Sequence, residues 1–310
     1  MWNTYTSNNW YCFAIDSKAS NDFRSRIYQL ASCLPNVLVP SISRNMESSG
    51  ANQNHAQLDC MNALRNKTFH YIFLLQNHDI LTRTHREFAT ILKSLEGSAV
   101  VDAIRCSPDR CLRSYPRELR KLGLCPSTFT GKQLSSCNAA KISYMKGGMQ
   151  AVLPKAASDF IVREINTRYF IEIFSKMYAS DEQLFPSLLA TEVLKIPGRY
   201  TATCEFPLYL RDAIYTSNNT QCLSGYMRHN VCIFGVEDLP NLKKIPQFLI
   251  NKMLPSFDNG VIQCFNELLL KRNLGLEPSY DDISTFSVGN YARFQRELRR
   301  TEFNPETFEC

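Results

Sequence analysis

Trp10-Tyr11-Cys12-Phe13-Ala14-Ile15-Asp16 is the stretch whose character decides the fold: an apolar and aromatic run of strand length that ends on a carboxylate. Open α/β sheets bind ligands at that end of their strands, which makes Asp16 a candidate binding residue. Asn21-Asp22 then marks a helix start, with a helix over about Phe23 to Ala31, and Asn36 to Val39 reads as a β-branched strand entering a turn at Pro40. Strand, helix, strand is the repeating unit of a parallel sheet.

The alternation continues down the chain. Ser41 to Asn54, with Ser48-Ser49-Gly50 at its middle, reads as a polar surface loop, and His55 to Leu64 as a helix. Tyr71 to Leu75 is a buried strand and Thr84 to Leu95 a helix, after which Gly97 to Gly148 weakens into a less regular insertion bearing Cys, Arg and Pro. Ala151 to Leu153 is a further strand, and helices follow near Ala156 to Asn166 and Tyr169 to Tyr178. The acidic pair Asp181-Glu182 opens an apolar-periodic segment, Leu184 to Leu194, so Glu182 is either a helix-end charge or a carboxylate at the mouth of a cleft. Val231 to Phe234 reads as a strand, and Leu242 to Asn251 and Val261 to Lys271 as helices. The pattern predicts an α/β protein with a mostly parallel central sheet flanked by helices, in one large domain or two closely joined ones, with a polar tail at 301–310.

The 310 residues are 44% hydrophobic and 21% charged, enough for a core and against disorder. A formal net charge of +6, spread evenly, argues against nucleic acid as the partner and leaves anionic small molecules open. Twelve cysteines suggest the secretory pathway, although Met1 to Trp10 lacks the basic and apolar stretches of a signal peptide and no run is long enough to span a membrane. Two sequons, beginning at Asn66 and Asn218, agree with that compartment. Cys106, Cys111, Cys125 and Cys137 lack the tight pairing of a zinc site, and the five histidines form no HExxH motif. Neither GxGxxG nor a P-loop is present, and no Asp-x-Asp ends a strand to hold a divalent metal on a diphosphate. A nucleotide-sugar enzyme would then need fixed cations. Lys252 and Arg228, on either side of the Val231 to Phe234 strand, can supply them, though each taken alone is an ordinary surface cation.

In its order of segments the chain resembles the core-2/I-branching β-1,6-N-acetylglucosaminyltransferase family. The resemblance runs from Tyr11 to Lys271. It begins with Trp10 to Lys18, continues through Cys33 with Asn36-Val37-Leu38-Val39 and through Gln57-Leu58-Asp59-Cys60, and includes Tyr71 to Asp79 with Asn77 in place of a family glycine. Tyr178-Ala179-Ser180-Asp181-Glu182 is similar to the family's Ser-Pro-Asp-Glu segment, with Ala179-Ser180 in place of Ser-Pro. Val231 to Leu239, Leu249 to Met253 and Val261 to Cys264 complete the match.

That resemblance implies a GT-A-like nucleotide-sugar fold, as a single catalytic domain over 1–300, in a type II Golgi membrane protein. The implied reaction is metal-independent, inverting transfer of GlcNAc from UDP-GlcNAc to a hydroxyl of a glycan or glycoprotein acceptor. It implies Glu182 as the catalytic base, Asp16 at the uridine, and Lys252 with Arg228 at the diphosphate, His229 standing at the gap-free position of the second cation. It further implies the disulfides Cys12-Cys60 and Cys222-Cys232. Cys33 and Cys264 match cysteines whose family partners lie upstream, and the family's first strand, stem and anchor have no counterpart before Met1, so the expectation is an N-terminally truncated member. Tyr215 stands where the family has an acceptor-binding Trp-x-Tyr pair, without the tryptophan. The altered segment keeps open a noncatalytic glycan-binding or interaction protein derived from this fold, and xylose is a second donor compatible with it.

Overall fold

The computed structural model describes residues 6–107, 115–175, 177–202, 210–216, 221–278, 289–301 and 303–309. They form two compact units, each discontinuous in sequence: Leu75–Glu96 with Pro207–Arg293, and Thr6–Leu74 with Gly97–Phe206 and Phe294–Cys310.

In the second of these, strand Tyr11–Cys12 pairs in parallel with Val37–Leu38, and helix Asn21–Cys33 forms the crossover. Ser20 caps that helix by accepting from Phe23 N. The strand–helix–strand unit predicted from the first residues is therefore present. Its ladder is short for an identifiable reason. Pro40 has no N–H to donate, and the chain leaves the partner strand there until Arg44 returns to bridge Asp16 in parallel.

The one large, mostly parallel sheet expected from the alternation is not found among the described residues. Strands of two to four residues make several small sheets, and most of the pairs are antiparallel. Tyr71–Leu74 runs antiparallel to Ala151–Pro154, and Val100 bridges Val152 on the other side, also antiparallel. Residues 75–150 separate the two strands, and among the described ones the path runs through strands Ile80–Leu81, Ile104–Arg105 and Met145–Lys146 and helices His85–Ser94, Leu119–Leu122 and Gly131–Ala139, where a single crossover helix would have restored the direction. Ala151–Pro154 is buried along its whole length, helix Lys155–Glu164 packs against it and against Tyr71–Leu74, and helix Gln53–Leu64 packs against Lys155–Glu164. The apolar run Leu184–Ala190 is a helix buried on every side, which fixes the segment immediately after Glu182.

In the other unit, Leu249–Ile250 lies between Ile80–Leu81, antiparallel, and Arg211–Asp212, parallel. The helix expected over Leu242 to Asn251 is thus replaced by a four-residue helix, Leu239–Leu242, and this strand. Pro246 cannot continue a helix, and Phe248-Leu249-Ile250 is a fully buried apolar run suited to a central strand. Helix Asn259–Asn273, capped by Asp258, covers the sheet with Val261, Phe265 and Leu269 against Phe234, Ile250 and Met253.

Among the described residues three disulfides close within the units: Cys12–Cys60, Cys125–Cys137 and Cys222–Cys232. Cys33 and Cys264 are free and exposed. Among the described residues no helix is long and apolar enough to cross a membrane.

Candidate active site

Glu182 ends a single 3-10 turn, Ser180–Glu182, which Ala179 enters in the left-handed conformation at φ 57°. An alanine held there carries a local backbone cost, so the surroundings must fix the turn. Four groups do so. Ser180 N donates to Ser49 O at 3.3 Å, and Asn54 Nδ2 donates to Asp181 O at 3.2 Å. Gly147 N donates to Glu182 O at 2.9 Å. The Gln183 amide, oriented to satisfy its surroundings, donates to Ala179 O and Ser180 O at 3.0 Å each.

Gly50 is packed so closely under this turn that a Cβ would meet Ser180 N at 2.8 Å and overlap the Asp181 carboxylate, and its own φ is +104°. The loop read from the sequence as plain surface thus supports the turn that carries Glu182. Only the Ser-Ser-Gly cluster hinted at it, and the partner lies some 130 residues away in the chain.

The Glu182 side chain is 23% exposed, and Lys146 Nζ lies 3.1 Å from its Oε2. That oxygen is sealed from solvent and has no aligned hydrogen bond, so charge alone holds it. Nothing local in the sequence marked Lys146, which lies in the insertion read as less regular.

Asp16 lies beyond strand Tyr11–Cys12, at its bridge to Arg44, with Oδ1 accepting from Lys18 N at 2.9 Å and Oδ2 3.4 Å from Lys18 Nζ. Lys18 Nζ also reaches Asn45 Oδ1 and Met46 O. One loop, from Arg44 to Gly50, therefore contacts both the lysine beside Asp16 and the turn of Glu182.

The other unit holds the cations. Lys252 is half-buried, and its carbonyl accepts from Phe234 N at 2.9 Å. Asn251, joined to it by a cis peptide, donates through Nδ2 to Asp79 Oδ1 at 2.7 Å, while Gln76 N donates to Asp79 Oδ2 at 2.6 Å. Burial pushes the Lys252 ammonium below its usual range, Arg228 and Arg211 push it the same way, and Asp79 opposes them. His78 is lowered for the same reasons, by burial first and then by Lys252 and Arg228. Arg211, Arg228 and Lys252 thus set up a positive potential, felt at His78 and only partly offset by Asp79, which favours an anion.

Arg228 occupies the exposed end of strand Met227–Arg228, and His229 and Asn230, both at positive φ, make the two-residue turn into Val231–Cys232. It is Arg228 whose charge is felt at Lys252; His229 is a turn residue. Tyr215 bridges Val231, and its hydroxyl accepts from Arg211 Nη2 at 2.6 Å. Sequence reasoning missed Arg211, which only the pairing of its strand with Leu249–Ile250 brings near Lys252.

Asn66 is exposed in the turn after helix Gln53–Leu64; Asn218 lies outside the described residues. Among the described residues no group of three His, Cys, Asp or Glu side chains is placed to hold a metal ion.

Residues 2–243 match the family described as Core-2/I-Branching enzyme. The chain is also similar to curated proteins at low identity over most of its length. It is 23% identical to β-1,3-galactosyl-O-glycosyl-glycoprotein β-1,6-N-acetylglucosaminyltransferase 3 of Rattus norvegicus, over 86% of this chain and 63% of that protein. It is 24% identical to the corresponding enzyme 4 of Danio rerio, over 87% and 65%. A Bovine herpesvirus 4 enzyme of the same name without a number is 22% identical, over 86% and 62%. The chain thus spans somewhat less than two thirds of the length of these relatives.

Proposed function

The chain belongs to the Core-2/I-branching enzyme family, and from that premise we propose that it transfers GlcNAc from UDP-GlcNAc to a hydroxyl of a glycan or glycoprotein acceptor. The family places it with glycosyltransferases related to N-acetylglucosaminyltransferases. In our reading residues 1–300 act as one GT-A-like catalytic domain, and the displacement is metal-independent and inverting.

The observation that carries the proposal is the carboxylate of Glu182, partly exposed on a turn that four neighbouring groups hold rigid. A general base must be ionised, fixed and reachable by the attacking hydroxyl. As the acceptor oxygen bonds to the anomeric carbon, the bond from that carbon to the UDP oxygen breaks and the hydroxyl proton passes to Glu182. The electron pair leaves on the diphosphate. Lys252 and Arg228 serve as its fixed cations, cations already in place costing no reorganisation during the reaction. Asp16 binds the uridine, and Tyr215 contributes to the acceptor side. The disulfides among the described residues and the exposed sequon asparagine Asn66 suit the oxidising lumen of the Golgi, which we take as the site of action.

The test is UDP release from UDP-GlcNAc with a panel of O-glycan acceptors. Replacing Glu182 with Gln should lower kcat by about 10²–10⁴-fold, the usual contribution of a general base. Equal turnover by the two proteins would remove Glu182 from this role, and preference for UDP-xylose in competition would change the donor. Glycan binding without UDP binding, measured by calorimetry on the folded chain, would favour the noncatalytic reading.

A further inference from the structure

Lys146 is attached through its backbone to the segment that carries Glu182, on both sides of its own position. Before it, Met145 N donates to Ser187 Oγ at 3.0 Å and Ser187 Oγ donates to Met145 O at 3.2 Å, on the helix that begins two residues after Glu182. After it, Gly147 N donates to Glu182 O. A Cβ at Gly147 would collide with Asp102 O, so the strand cannot slide away. Lys146 itself is in register with Ile104 across an antiparallel pair. These links preset the separation between the ammonium and the carboxylate, and they are independent of any substrate.

The two oxygens of Glu182 are inequivalent as a result. Oε2 is closed to solvent and faces Lys146. The exposed part of the side chain lies elsewhere, which leaves Oε1 as the oxygen a hydroxyl can reach. We propose that Lys146 is the positioning residue of the base, pinning Oε2 so that Oε1 is presented to the acceptor hydroxyl. This rests on Glu182 being the base. Without the ammonium, a sealed carboxylate oxygen has no charge partner, and the side chain gains by turning that oxygen toward water.

The experiment compares wild type, Lys146→Met, Lys146→Arg and Glu182→Gln in the UDP-release assay. Lys146→Met should lower kcat about tenfold or more while KM for UDP-GlcNAc changes less than about threefold, the signature of a group acting on the reacting geometry. Lys146→Arg, which keeps a cation there, should recover most of the rate, whereas a merely structural lysine would show its effect in melting and donor affinity. A second readout needs no turnover. After reductive ¹³C-methylation of lysines, the Lys146 signal should move in Glu182→Gln.

A Lys146→Met enzyme with kcat within about twofold of wild type, or a Lys146 signal blind to Glu182→Gln, overturns the inference. Full turnover by Glu182→Gln would instead overturn the base assignment. A dead Glu182→Gln enzyme beside an unaffected Lys146→Met enzyme would overturn only the role given to Lys146.

Discussion

Replacing Gly50 with Ala tests whether the loop from Arg44 to Gly50 holds the turn that carries Glu182. At φ +104° Gly50 lies outside even the left-handed basin open to other residues, and forcing alanine there costs about 1–3 kcal/mol. The new methyl would sit 2.8 Å from Ser180 N and 2.9 Å from Asp181 Cγ. Ser180 N is backbone and cannot swing aside, so overpacking adds about 1–3 kcal/mol. The total, about 2–6 kcal/mol, corresponds to a melting midpoint lower by about 4–12 °C at roughly 2 °C per kcal/mol for a chain of this size. Relief can come only by displacing Ser180–Glu182, and a displacement near 1 Å can cost about 10²-fold in rate. Gly123→Ala is the control: its φ is +68° but no atom lies within 4 Å of the added methyl, so only the conformational cost of about 1 kcal/mol applies. Both variants would be followed by circular dichroism melting and UDP release. A Gly50→Ala protein that melts with Gly123→Ala and keeps its kcat would refute the reasoning.

Lys252→Met should raise the melting temperature of the unliganded protein and abolish stabilisation by UDP, because below its lowered folded-state pKa the ammonium bears a charge that burial, Arg228 and Arg211 all disfavour; a lower melting temperature with stabilisation by UDP retained would count against a ligand-directed cation. His55 is lowered by burial first and then by Arg44 and Arg168, against Asp59. Its contribution is therefore present above the unfolded value near 6.5 and is lost as pH falls below it toward the folded value. Melting midpoints at pH 7.5 and 5.5 should differ less in His55→Gln than in wild type, and identical slopes would contradict the assignment.

What the sequence disclosed depended on how local the cause was. Strand Tyr11–Cys12, its helix and Val37–Leu38 were legible because apolar runs and a helix start lie within one crossover. Pairing partners were not: Tyr71–Leu74 could be read as a strand but not as antiparallel to Ala151–Pro154, since direction depends on the long connection between them, which no local pattern encodes. Periodicity misread Leu242 to Asn251, where a short apolar run can be helix or strand and Pro246 was the overlooked arbiter. At the site, Glu182 stood out through its neighbours in sequence, whereas Gly50 and Lys146 act on it through contacts of long sequence separation. Arg211 was silent for the same reason.

The discontinuity of the two units bears on how the chain matures. The chain leaves one unit for the other after residues 74, 96, 206 and 293. During vectorial synthesis at about 5–20 residues per second, the unit bearing Glu182 waits for its last segment until residues 294–310 have been made. Meanwhile Cys12 and Cys60 are already available to each other, so their bond can fasten the early strand–helix–strand piece while the rest is still being added. A disulfide of that kind acts as a temporary splint for a nascent chain before it becomes a tie in the finished one.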